Sequence, residues 1–120
     1  MAIGQQAAAQ LRQAADSGEL TMEPNSAREV AQAYLRFAAQ CDGWIDQAAD
    51  LGSIHGFGSF VSAQQLQQGF ARKAESLYEV LTELARSARG MAEGYLRAAN
   101  ILAEVDELNA AALRTASGAV

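Results

Sequence analysis

Apolar residues recur along this chain in two long ladders with steps of four and three. The first runs Val30, Tyr34, Phe37, Cys41, Trp44, Ala48 and Leu51. The second runs Phe70, Ala74, Leu77, Leu81, Leu84, Ala88, Met91, Tyr95, Ala98, Leu102 and Val105. This period draws an apolar seam along a helix, and such a seam needs a partner helix to cover it. Between the ladders lies Gly52-Ser53-Ile54-His55-Gly56-Phe57-Gly58-Ser59, which has no helical period. The pattern predicts an all-α fold built on a long antiparallel helical hairpin.

Local signals set the expected boundaries. Ser26-x-x-Glu29 reads as a capping box that opens a first long helix over 26–51, stopped by Gly52. A glycine-rich turn follows over 52–62, with Gly56, Phe57 and Gly58 making the reversal and Phe57 plugging the end of the helix pair. Ser62-x-x-Gln65 opens a second long helix over 63–113, about 50 residues and ~75 Å at the α-helical rise. Residues 114–120 form a tail. Ile3, Ala7, Leu11 and Ala14 predict a short amphipathic helix over 3–17, ended by Gly18, with a connector up to Asn25. The first long helix covers the first half of the second, and the short one folds back over its end. The whole of 1–120 is one rod-shaped domain.

Further apolar residues flank the seam: Leu35 and Ile45 on the first arm, and Leu66, Tyr78, Val80, Leu96, Ile101 and Leu108 on the second. A stripe that broad exceeds what one partner helix hides. It predicts pairing with a second hairpin into a four-helix bundle. Glu75, Glu79, Glu83, Arg86, Arg89, Glu93 and Arg97 read as a solvated outer face, with Glu83–Arg86 and Glu93–Arg97 at favourable helical spacing. Gly90 and Gly94 interrupt the second ladder. They are either a tolerated soft spot with a small kink, or a small-x-x-x-small face that another helix approaches closely.

Composition narrows the function. Half of the residues are hydrophobic, 7% are aromatic, and Pro24 is the only proline. The net charge of −5 and the scatter of nine basic residues argue against a nucleic-acid partner. No stretch approaches the ~20 apolar residues of a membrane span, which argues against stable membrane insertion. The first residues lack the basic and apolar regions of a cleavable signal. Cys41, the single cysteine, is either a small buried hydrophobe or a thiol for an intermolecular bond. His55 stands alone, without a metal-ligand partner at suitable spacing, and no nucleophile-elbow or Glu-x-x-His signature occurs. The residues point to no enzyme, no metal and no cofactor.

A hairpin of this size, uncharged at the seam, with aromatic and glycine residues at the turn, resembles the Trp-x-Gly (WXG, ESAT-like) superfamily exported by type VII (ESX) secretion systems. The similarity covers most of 26–113. Its most specific stretch is Gly56-Phe57-Gly58-Ser59-Phe60-Val61-Ser62-Ala63-Gln64-Gln65-Leu66, followed by Gly69-Phe70-Ala71-Arg72-Lys73-Ala74. There is no literal Trp-x-Gly, and Gly56-Phe57-Gly58 stands at the turn in its place. No tyrosine has an acid four residues on, but Leu102, Asp106 and Leu113 keep part of a C-terminal export pattern.

The resemblance implies a non-enzymatic exported helical protein, or the targeting partner of a larger effector. It would be cytoplasmic before export, and secreted or in the cell envelope afterwards by a route independent of a signal peptide. Its partners would be itself or a related hairpin, a larger effector and the secretion ATPase. Pairing is expected to use Tyr34, Phe37, Trp44, Leu77, Leu81, Leu84 and Tyr95. Two other readings fit the same pattern: a structural homodimeric bundle with no export role, and a carrier of an apolar ligand held among Tyr34, Phe37 and Trp44.

Overall fold

The computed structural model describes residues 3–52 and 61–116. Helix α1 spans Gln5–Asp16, α2 Pro24–Gly52, α3 Val61–Ala98 and α4 Leu102–Ala116. No strand occurs among the described residues, so the class is all-α. Ala38 and Cys41 of α2 meet Leu81, Ala85 and Ala88 of α3, while Ala31 meets Ala92 and Leu96. This crossed numbering makes α2 and α3 an antiparallel hairpin. Helices α1 and α4 also pack on α3, which is therefore the central element. Principal extents of 62 × 29 × 21 Å describe a rod. The radius of gyration, 18.5 Å, exceeds the ~14 Å of a compact domain of this length.

Helix α2 starts earlier than the Ser26–Glu29 box predicts. Pro24 takes the first helical position, where a missing N–H costs nothing and its fixed φ suits the helix. Glu23 then acts as the cap. Its carboxylate accepts the Ser26 N–H at 3.0 Å, and its carbonyl accepts the Ala27 N–H at 3.0 Å. The amides of Asn25 and Ser26 hold this carboxyl below its ordinary pKa. Ser62, expected as the second cap, is already helical within α3.

The apolar repeat predicts one unbroken helix over 63–113, and here the structure differs. Asn100 adopts a left-handed φ of 62° and ends α3. The Ile101 N–H reaches back to the Leu96 carbonyl at 3.1 Å, and the Asn100 N–H to the Arg97 carbonyl at 2.9 Å. Together these form a Schellman closure with asparagine in the usual glycine position. Ile101 packs with Leu96 in the same apolar cluster, the contact that accompanies this closure. Helix α4 then folds back: buried Val105 and half-buried Leu108 lie against Ala31, Ala92 and Leu96. Arg28 of α2 secures it through Nε, 2.9 and 3.0 Å from the two carboxylate oxygens of Glu104. The expected tail at 114–120 is helical as far as Ala116. Gly56, Phe57, Gly58 and His55 lie outside the described residues.

Helix α1 settles the reading of Gly90 and Gly94. Helix α3 continues through both, and α1 runs parallel to it, nearly against its backbone. A Cβ on Gly90 would stand 3.1 Å from the Ala8 Cβ; one on Gly94 would stand 2.7 Å from Leu11 Cδ2. Polar bonds hold α1 in register. Ser87 Oγ donates to the Ile3 carbonyl, and Gln5 Nε2 donates to Glu83 at 2.7 Å. Arg97 grips Glu93 through Nε and Nη2 at 3.1 and 2.9 Å, and Asp16 through Nη1 at 3.2 Å. Part of the expected solvated face is thus the seat of α1.

Two glycine substitutions separate packing from propensity. Gly43 has open space where its Cβ would stand, so Gly43→Ala should stabilise the fold by about 0.5–1 kcal/mol. Gly94→Ala gains the same propensity but drives α1 outward, an overpacking cost of about 1–3 kcal/mol. Urea melts should show Gly43→Ala more stable than the parent and Gly94→Ala less stable.

Candidate functional site

The hairpin interface is lined mainly by alanine. Ala27, Ala31, Ala38, Cys41 and Ala48 of α2 are buried, as are Ala74, Leu81, Ala85, Ala88, Ala92 and Leu96 of α3. Side chains this small let two helices approach toward the near end of the ~8–10 Å range. The close fit turns each helix so that alanine faces alanine. Larger members of each ladder are thereby rotated to the flank. Leu81 remains in the core; Tyr34, Leu84 and Tyr95 are half-buried. Phe37, Trp44 and Leu77 stay 40, 39 and 41% exposed.

These flank residues form one apolar trough along the α2–α3 crease. Its outer stretch is lined by Trp44, Gln47, Ala48, Leu77, Val80, Leu81 and Leu84. Its inner stretch continues from Leu84 through Phe37, Tyr34, Ala88 and Met91 to Ile3 and Ala7 of α1. Among the described residues, no charged residue lines either stretch. The trough is an uncharged stretch on a chain of net charge −5. Beyond it, Leu66, Phe70, Tyr78 and Val61 of α3 add further exposed apolar area.

Six of the seven residues expected to mediate pairing line this trough: Tyr34, Phe37, Trp44, Leu77, Leu81 and Leu84. Tyr95 is set apart from it. Its ring stacks on Tyr34 with centroids 5.9 Å apart and an 18° interplanar angle. Ile3 and Ala7 were legible only as the start of the short amphipathic stripe, not as a wall of the site. Leu102, Asp106 and Leu113 all fall within α4, and Asp106 is exposed. Among the described residues no three His, Cys, Asp or Glu side chains cluster as a metal site, and no helix is long and apolar enough to cross a membrane.

No protein-family model, curated protein or solved structure matches the chain.

Cys41 sits in the α2–α3 core, fully enclosed beside Ala38, Leu81 and Ala85. Burial, and then the neighbouring Asp42 carboxylate, push its thiol pKa up, which keeps it protonated and poorly nucleophilic. A thiol-specific reagent at pH 7 should leave Cys41 unmodified in the folded chain and label it fully in denaturant. Rapid labelling of the folded chain would show that the hairpin opens at its centre.

Proposed function

We propose that this chain is a non-enzymatic association module of a type VII secretion system, an exported substrate or the targeting partner of a larger effector. It acts by docking a second helical hairpin onto the α2–α3 trough. The supporting observation is the uncharged, exposed apolar crease holding Phe37, Trp44, Leu77, Val80 and Leu84. A monomer that leaves such a patch uncovered keeps several large side chains about two-fifths exposed, and covering each contributes roughly two-fifths of the full-burial value, or ~0.6–1.2 kcal/mol. The crease is open along its length, a shape suited to a helix more than to an enclosed small molecule.

The base of the rod limits where a partner fits. There α1 and α4 already pack on α3, so the bundle is completed within one chain. Pairing is accordingly expected on the outer half, around Trp44 and Leu77, where among the described residues only α2 accompanies α3. The secretion assignment rests on the resemblance at Gly56–Phe57–Gly58 and residues 59–74, together with the Leu102–Asp106–Leu113 pattern. A homodimeric bundle without export is the second reading favoured by the same trough.

Sedimentation velocity across micromolar concentrations tests the pairing. The full chain, alone or mixed with a related hairpin protein encoded beside it, should form a dimer. Trp44→Ser combined with Leu77→Ser should weaken that dimer by well over tenfold with helical circular dichroism unchanged, since both side chains are exposed in the monomer. A parent chain that stays monomeric in both settings contradicts the pairing. Export is read separately by secretion of a tagged chain, which Asp106→Ala should reduce; retention of every unaltered copy, with and without the partner, would contradict the export role.

A further inference from the structure

A second concavity, unrelated to the apolar trough, lies between α1, α3 and α4. Its walls include Arg12 of α1, Thr82, Arg86, Arg89 and Glu93 of α3, and Asn109 of α4, around a space of about 580 Å³. Arg86 and Arg89 have carboxylate partners outside this lining, Glu83 and Asp42, and the three arginines line the cleft with one carboxylate, that of Glu93, on a chain whose net charge is −5. That carboxylate is already engaged: one oxygen of Glu93 accepts from Arg97 Nε and Nη2, and the other lies 3.7 Å from Arg12.

Two of the three arginines are only loosely committed. Arg86 stands 3.6 Å from Glu83, and Arg12 stands 3.7 Å from Glu93; both distances exceed a hydrogen bond. Exposed pairs of this kind contribute little, so redirecting the guanidiniums toward a ligand costs little. Arg89 is bound to Asp42 of α2 and remains a fixed positive group at the wall.

We propose that this cleft binds a small oxyanion-bearing ligand, through forked hydrogen bonds from Arg12 and Arg86. Planar guanidiniums suit both phosphate and carboxylate groups. The cleft volume falls within the range of small-ligand sites, and its floor at Ala8 and Gly90 is close-packed. The site is separate from the apolar crease, so it stands or falls without the pairing proposal.

Isothermal titration of the full chain at low salt with inorganic pyrophosphate, and separately with citrate, tests this. Saturable one-to-one binding of either is expected, and the tighter of the two identifies phosphate or carboxylate as the preferred group. Arg86→Gln should weaken it about tenfold, the scale of one charge-assisted bond. Arg36→Gln, an exposed arginine on α2 outside the cleft, should leave it unchanged. Absence of saturable binding for both probes overturns the proposal. Equal weakening by the two substitutions overturns it as well, because the attraction would then be that of diffuse surface charge.

Discussion

The close packing of alanine against alanine between α2 and α3 is the constraint from which the remaining features follow. It fixes the rotation of each helix. Small side chains hold the contact, so the two backbones come near each other, and the bulky members of each apolar ladder have no room between them. Leu81 and Leu96 are the large residues admitted to this interface. Phe37, Trp44 and Leu77 are displaced to one flank, where they make a surface rather than a core. The hairpin thereby gives up burial within the chain and leaves apolar surface uncovered.

The same economy of size governs the other contacts of α3. Gly90 and Gly94 let α1 lie almost on the backbone, and Ser87 ties its first turn through the Ile3 carbonyl. Asn100 reverses the chain so that Val105 and Leu108 return to the base of the hairpin. One end of the rod is therefore closed by four helices of one chain. The outer half carries two helices, with Ala48 and Ala74 its buried residues among those described there. Buried residues are concentrated at the base, and exposed large apolar residues at the outer half.

Much of this was legible from the residues alone. The period of three and four gives the helices, their antiparallel pairing and the rod. The breadth of the stripe points to apolar surface that the hairpin leaves uncovered. Other features were hidden for physical reasons. The first ladder shares Cys41 and Ala48 with the inward face, but its large members Phe37 and Trp44 flank a face completed by Ala27, Ala31 and Ala38, because alanine carries almost no hydrophobic signal while fitting best. The break at Asn100 escapes the pattern because apolar spacing continues across it, and neither glycine nor proline marks it. The charges at Glu83, Glu93 and Arg97 look like solvated surface until α1 is laid over them. In the trough, the large aromatic and aliphatic positions were readable, whereas Ile3 and Ala7 enter it only through the docking of a different helix.

Trp44 is the sole tryptophan and sits in the outer stretch of the uncovered crease, 39% exposed. Its fluorescence therefore reports the central claim without a label. In dilute solution the emission should be red-shifted and readily quenched by acrylamide. As concentration rises, or a partner hairpin is added, it should shift to the blue and become protected. A blue-shifted, unquenchable tryptophan in the dilute monomer would contradict the account, because the aromatic flank would then be interior and the crease already filled by the chain itself.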